Sequence, residues 1–186
     1  MKKLLMATAA TALMTGSAIA GGHGKEVKIG VILGFTGPLE SITPAMGAGA
    51  EMAMAEVTAS GMLLDAAKVI SVRADSTCID AGAATSAAER LVTADKVDAI
   101  MGADCSGVTG AILANVARAN GVVMISPSAT SPGLSTAEDD GLFFRTAPSD
   151  ARQGVIITNI LQDRGVESVA LTYTNNDYGK GLADAF

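Results

Sequence analysis

The side chains best placed to do chemistry follow three apolar runs. Ser126-Pro127-Ser128-Ala129-Thr130-Ser131 follows Val122-Val123-Met124-Ile125, Asp104-Cys105-Ser106 follows Val97–Ala103, and Thr36-Gly37 lies in the turn after Val27–Leu33. Hydroxyls and backbone N–H groups at such positions can hold a carboxylate, and a carbonyl such as that of Ser128 can accept from an ammonium group. Ser106 stands where a helix should begin, so free N–H groups and the helix dipole favour an anion there. The same residues also have plainer roles: Ser106 as a helix cap, Ser128 and Thr130 as turn-forming hydroxyls. The residue types alone leave both readings open.

Catalysis finds no support. The sole histidine, His23, sits in a Gly-rich lead-in, so no serine has a base, and no GxSxG surrounds Ser106. The first turn reads Gly34-Phe35-Thr36-Gly37-Pro38, which is neither GxGxxG nor a phosphate-cradling GxxxxGK[ST]. Two cysteines and one histidine at these spacings make no zinc site. Asp75 and Asp104 end apolar runs, as a phospho-acceptor aspartate would, but the leader described below argues against that intracellular chemistry. No catalytic residue, metal or cofactor is expected.

Positioning these loops requires a sheet. Val27–Leu33, Lys68–Ala74, Val97–Ala103 and Val122–Ile125 read as buried strands, and helical patterns lie between them. Pro44 opens a helix to about Ser60, with Met46, Ala50, Ala53, Met54 and Val57 as its inward stripe and Gly61 as its stop. Asp80 caps a helix to about Ala94, with Ala84, Ala88, Leu91 and Val92 inward, and Ser106 opens one to Asn120. The βαβαβαβ pattern predicts the α/β class: a doubly wound parallel sheet in which strands one, three and four are neighbours. Their carboxyl ends then form one row holding Thr36-Gly37, Asp104-Cys105-Ser106 and Ser126–Thr130. Further on, Leu142–Thr146 reads as a strand, Ser149 caps a helix to about Arg164, and Glu167–Tyr173 reads as another strand. The final helix stops after about one and a half turns, too short to bury its face well. The chain is therefore expected to be the first part of a longer protein.

Composition fits this architecture. Of 186 residues 49% are apolar, enough for a sizeable core, while aromatics are 3% and tryptophan is absent. Lys2-Lys3, the apolar stretch Leu4–Met14 and Ala18-Ile19-Ala20 read as a cleavable export signal over residues 1–20. Without Lys2 and Lys3 the balance is 13 − 2 = 11 basic against 19 acidic residues, a net charge of −8. An acidic chain without a basic cluster is a poor nucleic-acid partner. Two cysteines, Cys78 and Cys105, in an exported chain favour a disulfide over two buried thiols.

At these residues the chain resembles the periplasmic leucine/isoleucine/valine-binding proteins of ABC transporters, the type I solute-binding fold. The likeness lies in VKIGVILGFTGP, GAGAEMAMAEV, the Asp75–Cys78 stretch, Cys105-Ser106, ISPSATSP and NNDYGKGLADAF, and covers nearly everything from Lys25 to Phe186. The resemblance implies two α/β lobes that close on an amino acid, branched-chain or otherwise aliphatic, without catalysis. Residues 21–148 would be the first lobe, lacking its returning C-terminal segment, and residues 149–186 the beginning of the second. The family's carboxylate ligand falls on Ser106. Its carboxylate- and ammonium-binding segment falls on Ser128, Ala129 and Thr130, its second-lobe cleft tyrosine on Tyr178, and its disulfide on Cys78 and Cys105. The aromatic that lines the family's side-chain pocket falls near Ile42, a departure that leaves side-chain choice open; the ammonium's acidic partner is unassigned. Implied partners are a small amino-acid ligand and a membrane permease, with the full-length protein a periplasmic monomer. The same fold also serves ligand-sensing domains of receptors and amide-responsive regulators, the alternative reading.

Overall fold

The computed structural model describes residues 26–186; the expected leader over residues 1–20 and His23 lie outside the described residues. The apolar runs form five parallel strands: β1 (Glu26–Leu33), β2 (Lys68–Asp75), β3 (Ala99–Gly102), β4 (Val123–Ser126) and β5 (Phe143–Arg145). Their order is β2-β1-β3-β4-β5, so the expected row of strands one, three and four exists, and β5 extends it beside β4. At the end of β3 only glycine fits. Gly102 has φ +134°, and a Cβ there would lie 2.0 Å from the Ile32 carbonyl oxygen of β1.

Helices connect the strands: α1 (Thr43–Ser60), α2 (Ala81–Thr93) and α3 (Ser106–Ile112), which runs on through a π-helical stretch, Leu113–Ala117, into α4 (Arg118–Asn120). Beyond the sheet lie α5 (Asp150–Asp163) and α6 (Asp177–Ala185). Local chemistry sets their ends. Asp80 accepts from the Ala83 N–H at 2.9 Å, and Ser149 from the Ala151 N–H at 3.3 Å. Gly61 and Gly121 stop their helices in the left-handed conformation, both with φ 65°.

Right-handed crossovers put α2 and α3 on one face of the sheet and α1 on the other. The first face is dry: Ala84, Ala88 and Leu91 of α2, with Val108 and Ile112 of α3, bury Ile32, Ile100 and Met124. Full burial of each large side chain contributes about 1.5–3 kcal/mol.

The other face is only partly covered. The α1 stripe faces the sheet across an apolar groove of about 370 Å³ that Ala50, Ala53, Met54 and Val57 line with Ile29 and Met101. The stripe is therefore not the packed core expected of it: Met46, Ala50 and Met54 are half-buried, Ala53 and Val57 are exposed, and Thr43 and Gly47 are the buried positions. No helix joins β4 to β5, only a loop with a 3-10 turn (Pro132–Ser135). Along the row Val31-Met101-Ile125-Phe144, Ile125 is 45% and Phe144 54% exposed.

The strand expected at Glu167–Tyr173 does not form; that stretch is exposed and pairs with nothing among the described residues. A strand is stabilised by the ladder it joins, and the sheet's edge at β5 is not extended to it.

Candidate ligand-binding site

The loops at the carboxyl ends of β1, β3 and β4 are knitted together by buried side chains. Asp104 is 3% exposed and accepts from the Gly34 N–H at 2.9 Å and from the Ser76 hydroxyl at 3.2 Å. Asp75 accepts from the Thr36 hydroxyl at 2.6 Å and from the Thr77 N–H at 2.8 Å. Burial pulls the Asp75 carboxyl upward, but bonds from the Thr36 hydroxyl and from the N–H groups of Thr77, Thr36 and Phe35 outweigh it and hold the group below its ordinary range. Both aspartates at strand ends are thus committed to building the loops. Cys78 and Cys105 are bridged, so the cluster they form with Asp104 offers no free thiolate to a metal.

Ser126, fully buried at the end of β4, shapes the loop that follows. Its hydroxyl donates to the Ala103 carbonyl and accepts from the N–H groups of Ala129 (3.0 Å) and Ser128 (3.4 Å). The Ser128 hydroxyl donates to the Asp104 carbonyl at 2.9 Å, tying this loop to β3.

Ser106 differs from expectation. Cys105 remains extended (φ −99°, ψ 134°) and takes the cap position, so helical dihedrals begin at Ser106 itself. The Ser106 hydroxyl instead accepts from the Ser131 N–H at 3.1 Å. Its own proton has no acceptor among the described residues. Ser106 also lines a cavity of about 590 Å³ between the first turn of α3, the 3-10 turn and α6, where Asp177, Lys180 and Asp184 supply charge.

Thr130 is engaged twice with Asp150, the first residue of α5, which is 4% exposed. The Thr130 hydroxyl donates to the Asp150 carboxylate at 2.7 Å, and the Asp150 N–H donates to the Thr130 carbonyl at 3.0 Å. The carbonyls of Ala129 and Ser131 accept from the Arg145 guanidinium at 3.2 and 2.8 Å. From Ser128 to Ser131, then, nearly every backbone polar group is taken. Of these four residues, only the Ser128 carbonyl and the Thr130 N–H have no hydrogen-bond partner among the described residues: one acceptor and one donor, two residues apart.

The remaining candidates are less closely joined. Tyr178 is 47% exposed and lines a neighbouring cavity of about 370 Å³ with Cys78, Cys105 and Gly107, beside Ser106 in sequence. Thr130 lines a third, of about 220 Å³, with Asp150 and Arg152. Ile42 precedes α1, is 52% exposed and lines none of these three. Sequence reasoning missed Arg145 and Asp150. The one faint signal was an arginine ending the short apolar strand Leu142–Thr146, next in space to a hydroxyl-rich loop.

A family model described as "Periplasmic binding protein" matches residues 26–186. A Leu/Ile/Val-binding protein homolog from Brucella melitensis is 34% identical over 165 residues, 87% of this chain and 43% of its own length. The Leu/Ile/Val-binding protein of Escherichia coli is 30% identical over 162 residues, again 87% of this chain and 43% of its length. The solved branched-chain amino acid transporter substrate-binding protein LivJ of Streptococcus pneumoniae, in complex with isoleucine, superposes with a TM-score of 0.74. It shares 34% identity, over 86% of this chain and 45% of that one. The chain thus spans less than half the length of the relatives it matches.

Proposed function

We propose, because this chain belongs to the periplasmic binding protein family, that the full-length protein captures an aliphatic amino acid, in the branched-chain class, for an ABC importer. The relatives named above support that substrate class. Residues 21–148 make the first lobe and residues 149–186 begin the second, the ligand lying between them. The protein would work in the periplasm as a monomer, handing its ligand to a membrane permease after hinge closure.

One observation carries this reading: the unpartnered pair on the Ser128–Thr130 backbone. An α-amino acid brings an ammonium donor and a carboxylate acceptor a few ångströms apart. The Ser128 carbonyl suits the first and the Thr130 N–H the second. Thr130 gives its hydroxyl proton to Asp150, so its oxygen acts as an acceptor and turns toward the ammonium role. The Ser106 hydroxyl still has a proton to donate to a carboxylate. Ala129, between them, keeps the spacing, and Tyr178 of the second lobe completes the cleft. Ile42 remains the candidate near the ligand side chain.

Calorimetry on the full-length protein tests the proposal. Leucine, isoleucine and valine should bind, whereas leucine amide, without a carboxylate, and 4-methylpentanoate, without an ammonium, should not. Thr130→Ala should weaken leucine by about 1–3 kcal/mol, roughly 5- to 150-fold. Binding of the amide or the bare acid as tight as that of leucine, or unchanged affinity in Thr130→Ala, would refute it.

A further inference from the structure

The half-buried guanidinium of Arg145 is spent wholly on the loop that follows β4. It lies at the end of β5, where its backbone pairs with Ser126. One nitrogen donates to the carbonyls of both Ala129 (3.2 Å) and Ser131 (2.8 Å), and the other to the hydroxyl of Ser135 in the 3-10 turn. No acidic side chain pairs with Arg145 among the described residues. An arginine in an ordinary ion pair gains from a carboxylate; this one instead donates to backbone carbonyls. Those two carbonyls flank Thr130.

We propose that Arg145 is a positioning residue for the ligand, a clamp that holds the carbonyls of Ala129 and Ser131 so that the Ser128 carbonyl and the Thr130 N–H keep the spacing an amino acid requires. The role rests on the reading above, that this loop holds the ligand's polar end. Peptide units are planar, so fixing a carbonyl also fixes the orientation of an N–H that shares its plane; the Ser131 carbonyl is followed by Pro132, which has no N–H, so its grip anchors the loop alone. The Ala129 carbonyl shares its peptide plane with the Thr130 N–H. The guanidinium grip on that carbonyl therefore sets where the N–H points. Ser126 holds the same loop by its amides and Arg145 by its carbonyls, so the two act on opposite polar groups. A lysine keeps the charge but is a single compact donor without the planar fork that reaches two carbonyls and a hydroxyl at once.

The experiment uses full-length protein carrying Arg145→Lys or Arg145→Met. Leucine affinity is read by calorimetry, ligand-free melting by circular dichroism, and amide hydrogen exchange of Ala129, Thr130 and Ser131 by NMR. Both variants should bind leucine about tenfold or more weaker, since the ligand's partners are no longer aligned. Exchange should accelerate at these loop amides, while the ligand-free melt of Arg145→Lys stays close to that of the parent. A purely structural arginine would lower the melt and leave the affinity of the folded fraction alone. Should Arg145→Met fail to fold, Arg145→Lys decides the matter. Parental leucine affinity in the folded variants overturns the clamp and leaves the proposed function standing. A parent protein that binds no amino acid overturns the proposed function, and the ligand role of Arg145 with it.

Discussion

Replacing Ser126 by alanine isolates what one buried hydroxyl does for the loop. In the parent it makes one donated bond, to the Ala103 carbonyl, and accepts from the amides of Ala129 and Ser128. These losses are unequal. The Ala103 carbonyl keeps a second partner, the Thr109 hydroxyl at 3.1 Å, whose one proton is shared with the Cys105 carbonyl at 2.9 Å. The Ser128 amide is half-buried, with a long 3.4 Å bond, and can turn to water. The Ala129 amide belongs to a fully buried residue and has no substitute. Leaving one buried donor unsatisfied costs about 1–3 kcal/mol, and the missing oxygen is too small to add a cavity cost of consequence. Ser128→Ala is the internal control. Its hydroxyl is half-buried and donates one bond, so its loss should cost about 0.5–1.5 kcal/mol. Urea unfolding followed by circular dichroism should rank Ser126→Ala below Ser128→Ala in stability at an unchanged m-value. Equal stabilities, or a Ser126→Ala change within about 0.5 kcal/mol of zero, would refute the argument that this hydroxyl satisfies the loop.

Two other outcomes follow. The Asp75 carboxyl is held below its ordinary range when folded, so between the folded and unfolded pKa values the unfolded chain binds more protons and stability rises with pH. That contribution is complete above about pH 4 and is lost as pH falls through the lower, folded value; acid titration of stability should be flatter in Asp75→Asn than in the parent below pH 4. Non-reducing mass spectrometry of the full-length protein should recover the Cys78 and Cys105 peptides joined, and free thiols at both would refute the bridge.

Much of the frame was legible because it is local. Continuous apolar runs announced β1 to β4, and Asp80, Ser149, Gly61 and Gly121 marked helix ends through bonds and dihedrals within a few residues of themselves. The misreadings are places where distant chain decides. Ser106 has a cap's residue type, but Cys105, bridged to Cys78, holds the cap position and frees the Ser106 hydroxyl for Ser131. Glu167–Tyr173 has a strand's composition and lacks a neighbour to pair with. Ala53 and Val57 follow the helical period but sit over a part of the sheet where nothing closes the groove. Within the site, the residue types of Ser106, Ser128 and Thr130 were visible. The network that leaves the Ser128 carbonyl and the Thr130 N–H unsatisfied was not, because Arg145 and Asp150 contribute to it from 14 to 20 residues away.

The partly bare row Val31-Met101-Ile125-Phe144 decides how this sheet would stick to others of its kind. At one edge of the sheet β5 is only 3 residues long, and at the other β2 carries Lys68 and Arg73, features that discourage strand-by-strand growth. The open face has no such guard. Self-association of the described part of the chain would therefore proceed by sandwiching one sheet face on another. Such stacking stops once the apolar rows are covered, giving small discrete clusters in place of fibrils.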